Sequence, residues 1–149
     1  MRLWRRKLIV EAAPGGYMPA RAHGADAGLD LALPHAVTLA PGHRVTVDFR
    51  IRVLVPRGFV GLVLPRSSLT AEGIDVLPGV IDAGYTGFIK ATIASRLRKN
   101  AVLAASQRVA QLVILPLPAF QVAPGRVKGL ETERGERGFG SSGRGGSLC

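Results

Sequence analysis

Hydrophobic and polar side chains alternate along residues 44–55, where every second residue from Val45 to Val55 is apolar and most of the others are polar or charged. This period of two predicts a single half-buried β-strand. The segment 108–115 is apolar on both faces, so we expect a central strand or one buried at a subunit contact. Other apolar runs predict strands over 59–64 and 88–94, and weaker ones over 29–33, 36–39 and 120–122.

Glycine and proline separate these runs, with 19 Gly and 10 Pro in 149 residues. No segment keeps a helical period for longer than one short turn, which we expect at most over 68–73. Many short strands joined by turns predict an all-β fold, a jelly-roll-like β-barrel. After residue 128 the composition changes to Gly, Ser and charged residues. We therefore divide the chain into a basic N-terminal segment (1–19), a barrel domain (20–128) and a flexible C-terminal arm (129–149).

The net charge of +10 favours an anionic ligand or partner. The single cysteine, Cys149, excludes an intrachain disulfide framework and a cysteine-rich zinc site. Glu11 limits the first apolar run to residues 8–10, which is too short for a signal peptide. No run approaches the ~20 apolar residues of a membrane span. We expect an intracellular protein, cytoplasmic or nuclear, that is neither secreted nor bound to a membrane.

Three segments carry side chains suited to a phosphorylated ligand. Arg66 follows a predicted strand and precedes two hydroxyls, a combination that can bind phosphate oxygens. Residues 78–87 predict a β-hairpin whose tip exposes Asp82, which can orient a water, and Tyr85, which can pack on a sugar or base. In the arm, the glycines around Phe139 allow backbone amides to approach a phosphate. Taken singly, each segment is also typical of a solvated turn or a disordered tail.

In this order and spacing, the segments resemble the motifs of the trimeric deoxyuridine triphosphatases (dUTPases), and the resemblance covers residues 20–143. The five motifs are residues 25–31 (ADAGLDL), 65–69 (PRSSL), 79–87 (GVIDAGYTG), 107–112 (QRVAQL) and 134–143 (RGERGFGSSG). Four positions depart from the common family pattern. Ser68 and Arg137 stand where glycine is frequent, Thr86 where arginine is frequent, and Gln107 where aspartate is common.

The resemblance implies a homotrimer that hydrolyses dUTP to dUMP and pyrophosphate with Mg²⁺, which limits uracil in DNA and supplies dUMP for thymidylate synthesis. Asp82 would activate the attacking water, Tyr85 would pack under the deoxyribose, and Asp30 would contact the metal through water. The residues implied at the phosphates are Arg66, Ser67, Ser68, Gln111, Arg134, Gly140, Ser141 and Ser142. Those implied at the nucleoside are Gly79, Val80, Ile81, Lys90 and Phe139. The arm would close over a site built from other subunits.

Two alternatives rest on other features of the sequence. A dCTP deaminase shares the fold and similar motifs, but that family needs a glutamate on the strand over 88–94, which contains no carboxylate. A dUTPase-fold module that binds nucleic acid or protein would use the basic clusters at residues 2–7 and 96–99. Aromatic residues make up only 5% of the chain, which argues against a stacking platform for single strands. We expect a solvated basic face and no nucleic-acid contact.

Overall fold

β-Strands make up most of the regular structure in residues 7–127, the part of the chain that the computed structural model describes. These residues form eleven strands and one helix, α1 (Ser67–Ala71). The strands are β1 (Ile9–Ala12), β2 (Leu29–Ala32), β3 (Val37–Leu39), β4 (Arg44–Asp48), β5 (Ile51–Leu54), β6 (Phe59–Pro65), β7 (Ile74–Val76), β8 (Gly79–Ile81), β9 (Lys90–Ser95), β10 (Ala101–Leu103) and β11 (Arg108–Pro116).

The strands pair antiparallel in four small sheets. The largest sheet has the order β2-β11-β6-β8, and a second has the order β4-β9-β7. The remaining pairs are β1 with β5 and β10 with β3. Most paired strands are distant in the sequence, so the chain crosses repeatedly from one sheet to another, as it does in a jelly roll. The predicted all-β, jelly-roll-like fold is confirmed.

A cluster of buried apolar side chains takes residues from all four sheets. Burial alternates along β9, where Ala91 and Ile93 are buried and Thr92 between them is not. The predicted central strand is confirmed as β11, which pairs with β2 on one side and β6 on the other. Its residues Val109, Ala110 and Leu112 are fully buried. This strand therefore fixes the middle of the largest sheet.

The single strand predicted over 44–55 is wrong, because β4 ends at Asp48 and β5 begins at Ile51. Arg50 lies in the left-handed region with φ = 57°, and its N–H donates to Asp48 Oδ1 at 2.7 Å. β4 pairs with β9 whereas β5 pairs with β1, so the turn carries the chain between sheets. The alternation continues through the turn, because Phe49 and Ile51 are both buried.

The predicted hairpin over 78–87 is also wrong. β8 lies at the edge of the largest sheet, whereas β9 is the middle strand of β4-β9-β7, so the two do not pair. The strand predicted over 88–94 begins only at Lys90. Residues 82–89 form the connection between the two sheets.

Three short strands, β1, β7 and β10, have no clear signal in the sequence. Strand β1 lies within residues 1–19 and pairs with β5, with Glu11 opposite Arg52. Strands β7 and β10 have three residues each, too few for a period of two to stand out. The N-terminal strand therefore contributes to the same fold as the strands after residue 20.

Residues 120–127 belong to a second unit of the chain and contain neither helix nor strand. The weak strand predicted over 120–122 is therefore wrong. The helical turn predicted over 68–73 is present as α1, shifted by one to two residues. The predicted arm over 129–149 lies outside the described residues. Within residues 7–127, the helical structure falls short of the length and apolar character that a membrane crossing needs.

The left-handed turn predicts that Arg50→Gly raises the free energy of unfolding by about 0.5–1 kcal/mol, because glycine adopts a positive φ without the steric cost of a Cβ. Arg44, exposed in the regular strand β4, provides the matched control. Arg44→Gly should lower the free energy of unfolding by about 0.5–1 kcal/mol. Urea denaturation measures both changes, and equal destabilisation by the two variants would contradict the strained turn.

Candidate active site

One cleft gathers polar side chains at the end of the largest sheet, and we call it the arginine cleft. It has a volume of about 270 Å³. Its walls come from the segment 22–28, from strands β2 and β11, and from the junction between β6 and α1. The lining residues are Ala22, Asp26, Ala27, Gly28, Asp30, Arg66, Ser67, Ser68 and Gln111.

Asp30 pairs with two arginines, of which Arg66 lines this cleft and Arg108 lines a neighbouring cavity. Its Oδ1 lies 3.0 Å from Arg66 Nε, and its Oδ2 lies 3.1 Å from Arg108 Nη1. Arg66 Nη1 also donates to the main-chain oxygen of Arg108 at 3.0 Å. The Asp30 side chain is only 13% exposed, whereas that of Arg108 is 53% exposed. Asp26 adds a second carboxylate to the same lining, so the formal charges of the two guanidiniums and the two carboxylates balance. What the cleft offers an anionic ligand is therefore the set of N–H donors of the Arg66 guanidinium.

Two hydroxyls face the same cleft because the backbone changes direction at Arg66. This residue is extended, with φ −96° and ψ 133°, and α1 begins directly after it. Ser67 and Ser68 form the first positions of the helix, and both are exposed and line the cleft. The guanidinium and the two hydroxyls therefore supply adjacent charged and neutral donors for oxygen atoms.

The amide of Gln111 reaches the cleft because Gly28 has no side chain. Gln111 Nε2 donates to the main-chain oxygen of Pro65 at 2.9 Å, which ties β11 to the end of β6. Gly28 is buried, and a Cβ built on it would collide with the Gln111 amide. The position of this amide therefore depends on a residue of the 25–31 motif.

A separate cleft lies beside the connection between β8 and β9, and we call it the tyrosine cleft. It has a volume of about 290 Å³ and is lined by Val80, Ile81, Asp82, Tyr85, Phe88 and Lys90. Asp82 is exposed and begins a turn in which Tyr85 N–H donates to the Asp82 main-chain oxygen at 3.2 Å. Gly84 completes the turn with φ = 83°. The turn presents a carboxylate and an aromatic ring to one cavity.

Tyr85 folds back over Gly87 and is held at its hydroxyl. Its Oη donates to the main-chain oxygen of Phe88 at 3.1 Å. A Cβ at Gly87 would collide with the phenol ring, so the close approach requires glycine there. Tyr85 remains 44% exposed, which leaves ring surface for contact with a ligand.

The residues singled out from the sequence fall into two groups and a remainder. The arginine cleft brings together Asp30, Arg66, Ser67, Ser68 and Gln111. The tyrosine cleft brings together Val80, Ile81, Asp82, Tyr85 and Lys90. Gly79 of β8 pairs with Val63 of β6 and does not line the tyrosine cleft. Arg134, Phe139, Gly140, Ser141 and Ser142 lie outside the described residues. The two clefts share no lining residue.

Three residues near the clefts receive no individual role from the sequence: Asp26, Arg108 and Phe88. Asp26 and Arg108 fall inside the 25–31 and 107–112 motifs, so motif membership is the available signal for both. Phe88 has no such signal, because it begins an apolar run that predicts a strand.

The carboxylates of the arginine cleft fit a hydrated cation and not a closed metal cage. Residues 7–127 contain no group of three or more His, Cys, Asp or Glu side chains that could hold a metal ion. Asp30 is paired with two arginines, and Asp26 Oδ2 accepts from the His23 main-chain N–H at 2.8 Å. Carboxylate oxygens have further lone pairs for water bound to a metal. Mg²⁺ commonly binds in this way, keeping several waters and using the substrate's phosphates.

The departures from the family pattern fall in different environments. Ser68 lines the arginine cleft. Gln107 Oε1 accepts from the Ala104 main-chain N–H at 2.8 Å, so this side chain closes the turn before β11. Thr86 is exposed, and nothing in the structure explains why threonine stands at this position. Arg137 lies outside the described residues.

The basic cluster over 96–99 is partly neutralised. Arg96 Nε lies 2.6 Å from Asp75 Oδ2, and Arg96 Nη2 donates to the main-chain oxygen of Thr70 at 3.0 Å. Arg98 and Lys99 are exposed. Arg96 thus has a structural role, and the basic cluster at residues 2–7 lies outside the described residues except for Lys7.

One cleft with arginine and hydroxyl donors, and a second with an acid beside an aromatic ring, are typical of the class of protein that binds phosphorylated nucleosides. A family model described as dUTPase matches residues 16–143. The chain belongs to the dUTPase family.

Named relatives agree with this assignment. The deoxyuridine 5'-triphosphate nucleotidohydrolase of Mycobacterium sp. (strain JLS) is 47% identical over 140 residues, covering 88% of this chain and 90% of the relative. The enzyme of the same name from Cutibacterium acnes is 44% identical over 140 residues, covering 91% and 88%. A structure of the Staphylococcus bacteriophage 80alpha dUTPase with dUPNHPP gives a TM-score of 0.86 at 28% identity, covering 93% of this chain and 99% of that one. The resemblance based on the five motifs is confirmed.

The packing of Gln111 against Gly28 predicts that Gly28→Ala lowers the free energy of unfolding by about 1–3 kcal/mol, because the added Cβ displaces a packed side chain. Gly24 provides the matched control, since a Cβ there meets nothing within 4 Å. Gly24→Ala should therefore leave stability nearly unchanged. Urea denaturation of both variants measures the difference, and similar values would contradict the contact.

Proposed function

We propose that this chain is a dUTP diphosphatase, with the triphosphate in the arginine cleft and the deoxyuridine in the tyrosine cleft. The observation that carries the assignment is the pairing of Arg66 and Arg108 with Asp30, next to two exposed hydroxyls. A triphosphate needs several cations and donors held in fixed positions. The reaction converts dUTP and water to dUMP and pyrophosphate. In a cell it limits uracil in DNA and supplies dUMP for thymidylate synthesis.

The arginine cleft binds the phosphates through its own side chains. Asp30 and the Arg108 main-chain oxygen hold the Arg66 guanidinium at Nε and Nη1, which leaves the Nη2 donors for phosphate oxygens. The hydroxyls of Ser67 and Ser68 and the amide of Gln111 add neutral donors. Because the Arg66 guanidinium and the Gln111 amide are hydrogen-bonded before the ligand arrives, little of their side-chain entropy is lost on binding.

Asp82 acts as the general base of the reaction. Its exposed carboxylate accepts a proton from the attacking water as the water oxygen bonds to phosphorus. The bond from that phosphorus to the leaving phosphate oxygen then breaks, and pyrophosphate departs. The enzyme's task is to hold water and phosphate in line, because proximity and orientation account for much of the rate in phosphoryl transfer.

The tyrosine cleft recognises the nucleoside. The Tyr85 ring packs against the deoxyribose and leaves no space for a 2′-hydroxyl. Strand β8 is the end strand of its sheet, so one edge of Gly79–Ile81 presents main-chain N–H and C=O groups without a strand partner in residues 7–127. Such donors and acceptors can pair with the uracil edge. Lys90 lines the same cleft and adds positive charge.

Magnesium accompanies the triphosphate in this proposal. Asp30, with Asp26 beside it, would hold water molecules of the ion. When bound, Mg²⁺ neutralises phosphate charge and favours one conformation of the phosphate chain.

A homotrimer brings the two clefts together. The clefts share no lining residue within one chain, which supports a complete site formed by the arginine cleft of one subunit and the tyrosine cleft of another. Arg134, Phe139, Gly140, Ser141 and Ser142 of the arm would close on this site, with Phe139 over the uracil. Closure of the arm would exclude bulk water from the reacting groups. The intracellular location follows from the substrate and stays a prediction.

Pyrophosphate release tests the function directly. With Mg²⁺, the protein should turn over dUTP at least about 100-fold faster than dCTP, dTTP or UTP, and chelation of the metal should reduce the rate. Asp82→Asn should lower kcat by about 10²–10⁴-fold with little change in KM, since it removes the base but keeps the shape. Asp75→Asn, which removes an acid paired with Arg96, is the control. Equal turnover of dCTP, or full activity of Asp82→Asn, would contradict the proposal.

Mixed trimers test the shared site. Asp82→Asn damages only the tyrosine cleft, and Arg66→Met damages only the arginine cleft. If a site combines clefts from two subunits, random mixing at equal amounts gives about one intact pair in four, so about a quarter of wild-type activity should return. The assay is turnover of dUTP after the two variants are unfolded together and refolded. Failure to regain activity, with trimers formed, would show that one chain supplies both clefts.

A further inference from the structure

An arginine stacks on one wall of the tyrosine cleft. The Arg52 guanidinium carbon lies 3.9 Å from the centre of the Phe88 ring, a distance typical of a cation–π contact. Phe88 lines the cleft, whereas Arg52 does not belong to the lining. Arg52 therefore acts on the cleft only through the ring that it covers.

The same arginine is held from its other side by the N-terminal strand. Arg52 Nη1 lies 2.7 Å from Glu11 Oε1, and the two residues are directly opposite in the pairing of β1 with β5. The side chains of Arg52 and Glu11 are 38% and 64% exposed. An exposed ion pair adds little stability by itself, so its value here lies in the orientation that it gives to the guanidinium.

The backbone around Phe88 is fixed by β5 as well. Ile89 N–H donates to the Ile51 main-chain oxygen at 2.8 Å, and Phe49 N–H donates to the Ile89 oxygen at 3.0 Å. Gly84 N–H donates at 3.3 Å to the oxygen of Val55, the residue that follows β5. The segment that carries Tyr85 is thus attached at both of its ends to residues 49–55, which contain β5. Within this segment, the Phe88 main-chain oxygen accepts a hydrogen bond from the Tyr85 hydroxyl at 3.1 Å.

We propose that Arg52, oriented by Glu11, is a positioning residue that holds Phe88 and, through the Phe88 carbonyl, the Tyr85 ring. The N-terminal strand β1 thereby sets how closely Tyr85 approaches the sugar and how strongly the enzyme prefers a 2′-deoxy nucleotide. This role rests on the proposed function, because it assumes that Tyr85 contacts the sugar. Loss of the stack lets the Phe88 ring move on its anchored backbone and loosens the hydrogen bond from the Tyr85 hydroxyl, so a 2′-hydroxyl then meets less resistance.

Arg52→Met tests the proposal because it keeps a long side chain and removes the charge. The ratio of kcat/KM for dUTP to that for UTP should fall about two- to fivefold, the size expected for one exposed cation–π contact. KM for dUTP should rise more than kcat falls. Phe88→Leu should give the same fall, whereas Phe88→Trp should retain the preference because indole also binds a cation.

Arg96→Met is the matched control. It breaks the ion pair with Asp75, which lies outside both clefts, so it reproduces the loss of an exposed pair without touching the stack. Its dUTP-to-UTP ratio should remain at the wild-type value. The double variant Arg52→Met/Phe88→Leu should lose no more than either single variant, because both changes remove one interaction. An unchanged ratio in Arg52→Met, or additive losses in the double variant, would overturn the proposal.

A readout without substrate separates this proposal from the function on which it rests. The chain has two tyrosines, Tyr17 and Tyr85, so incorporation of fluorotyrosine gives two ¹⁹F signals that Tyr17→Phe assigns. In Arg52→Met the Tyr85 signal should shift and that of Tyr17 should not. If wild-type protein fails to hydrolyse dUTP but this shift appears, the function is wrong and the stack still positions the ring. If dUTP is hydrolysed and the Tyr85 signal is unmoved, the positioning role is wrong.

Discussion

The pairing of β11 with both β2 and β6 is the constraint on which the arginine cleft depends. Its register sets Gln111 opposite Asp30 on one side and opposite Leu64 on the other, so one strand aligns the acid of β2 with the end of β6. Along β2 the register shifts between Arg108 and Ala110. Bulges of this kind redirect side chains, and here the guanidinium of Arg108 reaches Asp30 although its backbone partner is Ala32. Burial of the neighbouring apolar residues stabilises this register, since a slip would expose them.

Charge balance within the cleft follows from that alignment. A mostly buried carboxylate such as Asp30 is costly to remove from water unless it is paired, and two guanidiniums pair it here. The Asp30 carboxylate in turn offsets the repulsion between the guanidiniums of Arg66 and Arg108. It also restricts the conformations of both side chains. The Arg108 guanidinium remains accessible to solvent, because its side chain is 53% exposed while that of Asp30 is 13% exposed. An anion can therefore approach the guanidiniums without displacing the acid that orients them.

Local patterns in the sequence predict much of the fold and of the site. The central strand β11, the cluster of Arg66 with two hydroxyls and the turn of Asp82 and Tyr85 could all be found, because each is defined by residues close together in the chain. The division of residues 44–55 into two strands could not be found from the sequence, because the alternation of buried residues continues through the turn at Arg50. Residues 78–87 likewise look like a hairpin, and only the strand pairing shows that residues 82–89 connect two sheets.

Contacts between distant residues are the part that a single sequence does not reveal. Arg108 and Asp30 are 78 positions apart, and Arg52 and Glu11 are 41 apart, so neither pair leaves a local pattern. Both pairs nevertheless follow the same physical rule. In each, an acid on one strand orients an arginine on a neighbouring strand. In the first pair the oriented guanidinium lies beside the arginine cleft, and in the second it covers the Phe88 ring on the wall of the tyrosine cleft. Contacts between strands distant in the sequence thus determine how precisely these side chains are positioned. Local motifs only identify which side chains they are.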